Sequence, residues 1–271
     1  MASVETRQAT VHANGIEIFY QLGGEGPPLL FCNGSGATLE SAALVTAAIG
    51  EGFTLLAHDQ RGLGKTEIPP GPYSMADYAT DALALLDAVG WETCRLVGMS
   101  FGGMVALELA VTAPERFERI ALLCTSPGGE GGASYPLHEL DGLPDDERTA
   151  IYLPILDTRF DEAWLADHPG DQMIVDVMRK GLTIEKSDER RRGEREQLEA
   201  RRHHDVHDRL ANITAPTFIA AGRYDGIAPV ANSEAILAGI PDAELHVYEG
   251  GHIFPFQDKA ALPEIREFLL A

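Results

Sequence analysis

The chain is poor in cysteine, poor in basic residues and free of long apolar runs. Its three cysteines, Cys32, Cys94 and Cys124, stand far apart in 271 residues and form no C-x-x-C pair. Each lies in or beside an apolar, strand-like run, which marks it as a small core residue rather than a bridge or a ligand. An odd count suits a reducing compartment, and Met1 to Gly15 contain no apolar core of secretory length, so a cytoplasmic location is expected. No stretch approaches the roughly 18 apolar residues of a membrane span. Lys and Arg number 21 against 42 Asp and Glu, a net charge of −21. Such a surface repels phosphate backbones and anionic lipid, so neither nucleic acid nor a membrane surface is an expected partner; the acidity reads as solubility. The sequence sets no oligomeric state.

What is present is an α/β rhythm. Asn14-Gly15 is a hairpin signal between short strands at 10–12 and 16–21. Apolar runs at 29–32, 54–58, 94–97 and 119–124 alternate with helical patterns at 38–49, 74–89 and 101–112. Further strands at 216–221 and 244–248, with helices near 231–239 and 259–270, resume the pattern. Strands alternating with helices imply βαβ crossovers, hence a mostly parallel eight-stranded sheet with helices on both faces. Between the two stretches, residues 135–210 offer helical patterns and no strand. The expected division is a core of 1–126 and 211–271 with a helical cap, or lid, at 127–210. Within the insertion, 187–202 (SDERRRGEREQLEARR) is a dense charge run that reads as a solvated helix face.

Gly98-Met99-Ser100-Phe101-Gly102 is a G-x-S-x-G motif that follows a strand and opens a helix, the setting of a nucleophile elbow. The turn is tight, and glycines two residues either side of Ser100 remove colliding side chains. Ser100 is left above the sheet edge at a helix N-terminus, where free N–H groups can stabilise an oxyanion. A serine hydroxyl needs a base, and the base an orienting carboxylate. In the fold that carries such elbows the order is serine, acid, histidine, each after a strand. Asp225 directly follows strand 216–221 and His252 directly follows strand 244–248. The other histidines lie before the elbow, in the insertion or inside a strand; Asp59 precedes Ser100, the wrong order. His203, His204 and His207 with Asp205 and Asp208 look superficially like metal ligands but read as a polar turn where the insertion re-enters the core. Phe254 and Phe256 read as loop packing.

A second glycine loop, Asn33-Gly34-Ser35-Gly36, follows strand 29–32. Backbone N–H groups of Ser35 and Phe101 are the expected oxyanion donors. Gly62-Leu63-Gly64-Lys65-Thr66 ends like a phosphate loop, but Asp59 replaces its first glycine. Gly34-Ser35-Gly36 opens like a dinucleotide fingerprint, but Leu39 replaces the third. Neither cofactor class is signalled, and no metal or organic cofactor is expected.

With these residues in hand, the chain resembles the α/β-hydrolase superfamily over nearly its whole length. Asp59-Gln60-Arg61-Gly62-Leu63-Gly64 is similar to the family's D-x-R-G-x-G turn, Ala215-Pro216-Thr217 to its lead into the acid strand, and 126–210 sits where the family carries its cap. Asn33 replaces the family's usual histidine, as in the enol-lactonases of aromatic catabolism, while Gly34-Ser35-Gly36 is similar to C–C hydrolases of ring meta-cleavage products. Ser100 in place of Asp disfavours the dehalogenase and epoxide hydrolase branches. The resemblance implies an esterase or lactonase acting on a small or medium carboxylic ester through an acyl-enzyme. A C–C hydrolase or perhydrolase using the same site is the second enzymatic reading, and a ligand-binding receptor on the same scaffold is the reading of another class, against which the intact triad argues.

Overall fold

The structure, a computed structural model, describes residues 6–182 and 185–271. Eight strands form one sheet: β1 (Arg7–Ala13), β2 (Ile16–Gly23), β3 (Pro28–Cys32), β4 (Thr54–His58), β5 (Cys94–Met99), β6 (Phe117–Leu123), β7 (Thr217–Gly222) and β8 (Ala243–Tyr248). Their spatial order is β1-β2-β4-β3-β5-β6-β7-β8. The first two strands run antiparallel to their neighbours and the other pairs are parallel. The β1–β2 turn needs two left-handed residues, and Asn14 and Gly15 supply them with φ of 48° and 77°.

The crossover helices α1 (Ala43–Ile49), α2 (Met75–Ala88) and α3 (Phe101–Thr112) precede β6. Ser74 and Asp77 close a reciprocal capping box at the start of α2. Every residue of α3 from Phe101 to Val111 is buried, because the helix lies between sheet and neighbouring helices and has no wet face. The helical pattern at 38–49 yields a shorter helix than its periodicity predicts. Asp59 Oδ1 takes the Leu39 N–H at 2.7 Å and Ser41 Oγ takes that of Thr38 at 2.9 Å, so these side chains hold the backbone in a turn until Ala43.

Between β6 and β7 the described residues contain helices and no strand: α4 (Asp145–Leu156), α5 (Glu162–Asp167), α6 (Pro169–Leu182) and α7 (Asp188–Arg202). A single bridge, Gly128 with Asp205, ties the two ends of this segment together. The charge run is indeed a helix, N-capped by Ser187, but it is not the solvated face its composition predicts. Gly193, Gln197, Ala200 and Arg201 form a buried stripe at helical spacing. A side chain at Gly193 would run into the Gly62 carbonyl, so glycine lets α7 dock on the 59–73 loop. There Arg192 Nη2 also donates to the Ile68 carbonyl at 2.8 Å. Beyond β7 come α8 (Val230–Gly239), the short α9 (Phe254–Gln257) and α10 (Ala261–Leu270). Two apolar cores flank the sheet, one built around α2, α3 and α8 and the other around α1 and α10. A third, smaller core joins Leu153, Leu156 and Val175 of the helical segment to Ile227 and Ile253 beside the acid and histidine positions.

Candidate active site

The strand–turn–helix at Ser100 is as tight as its glycines imply. Ser100 has φ 56° and ψ −118°, a left-handed conformation that a non-glycine residue adopts only when its surroundings enforce it. They do. Ser100 N donates to the Leu123 carbonyl at 2.8 Å, and the Ser100 carbonyl accepts from Thr125 Oγ1 at 2.8 Å and Gly103 N at 2.9 Å. A Cβ on Gly98 would strike the Gly102 carbonyl, and one on Gly102 would strike the Cys32 carbonyl. Phe101 is the first residue of α3, so its N–H has no carbonyl within the helix.

The expected partners converge on Ser100 from two other strand ends. His252 Nε2 lies 2.8 Å from Ser100 Oγ, and His252 Nδ1 lies 2.8 Å from Asp225 Oδ2. The other carboxylate oxygen, Oδ1, accepts the N–H groups of Ile227 and Ala228 at 2.7 and 2.8 Å. These donors satisfy a carboxylate that is fully buried, while Ser100 itself is half-buried and reachable. Both loops are held by the end of α4: His252 N donates to the Leu156 carbonyl at 2.6 Å and Gly226 N to that of Ile155 at 2.9 Å.

The Asn33–Gly36 loop lies against the serine. A Cβ built on Gly34 would stand 3.7 Å from Ser100 Cβ, which places Gly34 next to the nucleophile position. Gly36, at φ 68°, closes a turn in which Ala37 N donates to the Gly34 carbonyl at 3.2 Å. Gln60 Nε2 braces the Asn33 carbonyl at 2.8 Å, and Gln197 Oε1 of α7 accepts the Gly36 N–H at 2.7 Å. Asp59 and Arg61 are structural: Asp59 also takes the Lys65 N–H at 2.8 Å, and Arg61 grips Asp81 through two bonds of 2.6 and 2.7 Å. Gly64 approaches Asp59 too closely for any side chain.

Cys124, Asp225 and His252 form the one trio among the described residues close enough to hold a metal ion. Both His252 nitrogens are already engaged with Asp225 and Ser100, which suits proton transfer better than ligation. Burial pushes the Cys124 thiol well above its usual range, so it stays protonated. The histidines near 203 do not converge as ligands: His203 is largely exposed, whereas His204 is buried and burial lowers its pKa to about 4. Phe254 is buried and stacks on Tyr248 at 5.2 Å, while Phe256 is exposed.

Three residues near the site have no counterpart in the sequence reading: Tyr152 of α4 and Gln197 and Arg201 of α7. For the two on α7 the signal was the spacing of small or neutral residues (193, 197, 200) inside the charge run, which marks one inward face.

Residues 27–259 match the family model for the alpha/beta hydrolase fold. A protein named carbamate hydrolase RutD in Variovorax paradoxus (strain S110) is 30% identical over 87% of this chain and 89% of its own. The 2-hydroxymuconate semialdehyde hydrolase of Pseudomonas putida is 32% identical over 84% and 82%, and 3-oxoadipate enol-lactonase 2 of Acinetobacter baylyi 28% identical over 90% and 89%. Among solved structures, the enol-lactonase from Burkholderia xenovorans LB400 superposes with a TM-score of 0.80 at 22% identity, over 97% of this chain and all of that one. At that identity the likeness speaks to fold. The family match and the shared architecture agree: the chain belongs to the alpha/beta hydrolase fold family.

Proposed function

We propose that this hydrolase cleaves a carboxylic ester or lactone through an acyl-enzyme on Ser100. The observation that carries the reading is the continuous hydrogen-bond chain from Asp225 through His252 to Ser100 Oγ. Ser100 Oγ attacks the carbonyl carbon as His252 Nε2 takes its proton. The oxyanion is received by the N–H groups of Ser35 and Phe101. His252 returns the proton to the leaving alkoxide, and the C–O bond breaks. Water, deprotonated by the same imidazole, then attacks the acyl-enzyme and releases acid and free serine. Asp225 fixes the tautomer with the proton on Nδ1 and supports the imidazolium. Helices α4–α7 act as the cap over this centre.

Labelling with a fluorophosphonate, followed by assay on p-nitrophenyl esters, enol-lactones, carbamates and ring-cleavage diketones, tests the reading. Labelling at Ser100 with turnover of esters or lactones supports it. A folded protein that takes no label favours the receptor reading, and turnover confined to diketones favours C–C hydrolysis, the reading that the Pseudomonas putida relative supports.

A further inference from the structure

Arg201 is 5% exposed, yet it has no carboxylate partner among the described residues. Its Nη1 donates to the Tyr135 carbonyl at 2.7 Å, while Nε and Nη2 are buried without any partner. One turn away on the same helix face, Gln197 is 1% exposed, and its Nε2 is likewise unpartnered because only Oε1 is used, on the Gly36 N–H of the oxyanion loop. A guanidinium left unpaired in the interior is costly, and a buried cation normally has a counter-charge. Burial accordingly lowers the Arg201 pKa to about 10, which still leaves it charged near neutrality.

The place of this cation ties it to the serine. It borders a cavity of about 90 Å³ whose walls include Met104 and Ser126. Met104 N donates to the Ser100 carbonyl at 3.2 Å, and Ser126 follows Thr125, whose hydroxyl bonds that same carbonyl. Gln197 borders a second cavity, of about 200 Å³, shared with Ser35, Gly36 and Tyr152. Tyr152 lines that second cavity and lies near enough to feel the charges of both Arg201 and Asp225.

We infer that Arg201, assisted by Gln197, is a subsite for a carboxylate carried by the substrate, which supplies the counter-charge the fold leaves out. The inference rests on the serine-hydrolase reading for its use in turnover, but the anion site itself is independent of it. The net charge of −21 disfavours long-range attraction of an anion, so recognition here depends on short, desolvated contacts.

The test measures calorimetric binding of succinate, glutarate and adipate, each against its neutral diamide, to the wild type, Arg201→Met and Arg201→Lys. At least one diacid is expected to bind the wild type more tightly than its diamide. Arg201→Met should weaken that binding about 30-fold, with Arg201→Lys in between. In turnover, mono-p-nitrophenyl glutarate carries the acid on the acyl side and 4-(butanoyloxy)butanoate on the alcohol side. The kcat/KM of one of them, relative to p-nitrophenyl butyrate, should fall on Arg201→Met, and which one falls identifies the side. Diacids that bind the wild type no better than diamides, or as well to a folded Arg201→Met, overturn the subsite, even if neutral esters are hydrolysed. If Arg201→Met does not fold, the diacid–diamide comparison in the wild type and Arg201→Lys decides. Arg201-dependent diacid binding by a protein that takes no fluorophosphonate label would keep the subsite and end the hydrolase reading instead.

Discussion

The end of α4 meets the acid and histidine loops through main-chain atoms, whereas α7 meets the serine side through side chains. The Ile155 and Leu156 carbonyls receive the N–H groups of Gly226 and His252, contacts that any sequence of the right backbone shape could make. On α7 the contacts are chemical choices: Gln197 on Gly36 N, Arg190 toward the Gly36 carbonyl, and the unpaired Arg201. One helix thus fixes where the imidazole stands, and the other sets what the cavity will accept. Substitutions on the two should therefore separate, with kcat responding to the α4 contact and substrate preference to α7.

The largest effect lies where both regions act together. Ser100→Ala should abolish turnover, a loss on the order of a millionfold, and Asp225→Asn should cost about ten-thousandfold by leaving the imidazole in the wrong tautomer. Circular dichroism should show both variants folded. Substantial residual activity in Ser100→Ala would move the chemistry elsewhere.

Next comes the α4 contact alone. Gly251 precedes His252, and a Cβ there would run into the Leu156 carbonyl and Asp157. Gly251→Ala must shift the histidine loop, and a displacement of about 1 Å costs roughly a hundredfold in rate. The expected signature is a fall in kcat at nearly constant KM. A fall in KM-dependent discrimination instead would erase the proposed division between the two helices.

His204, two residues beyond α7, gives a pH-dependent effect on stability. Its pKa is lowered to about 4 in the folded state by burial, against an ordinary value of 6.5, so the unfolded chain binds its proton first as pH falls. The neutral ring's full contribution is present above pH 6.5 and is lost progressively from there down to about pH 4. By pH 5 the loss reaches about 2 kcal/mol. Denaturant melts of wild type and His204→Gln at pH 8 and pH 5 check this: the wild type should lose more between them. Equal losses would mean that the ring is hydrated or partnered in solution.

Much of this arrangement was legible before any coordinates. The strands and the elbow could be read because glycines, apolar runs and turn residues act locally, and Asp225 and His252 because chain order is fixed by topology. The inward face of α7 was not. A run that is more than half charged looks wet from composition, and only docking shows that Gly193 permits contact with Gly62 while Gln197 and Arg201 turn inward. The start of α1 was missed for a similar reason, since the Asp59 carboxylate that holds Leu39 comes from a strand end 20 residues away in sequence.

The smallest effect belongs to Arg202, which edges the same cavity of about 90 Å³ as Arg201 but leaves much of its side chain in solvent, and it sharpens the contrast within a single helix. Arg202 pairs with Glu199 at 3.7 Å, with the two side chains 53% and 48% exposed. Water and salt screen such a pair, and holding two long side chains together opposes the attraction, so its net worth is between about zero and 1 kcal/mol. Arg202→Ala should therefore shift Tm by no more than about 3 °C and leave the ratio of anionic to neutral ester turnover unchanged. Its neighbour Arg201 differs by one position and about 100° of helix rotation, which takes the guanidinium from solvent into the interior. If Arg202→Ala altered that ratio as strongly as Arg201→Met, surface charge rather than a buried contact would govern selectivity, and the reading of α7 as the selective wall would fall.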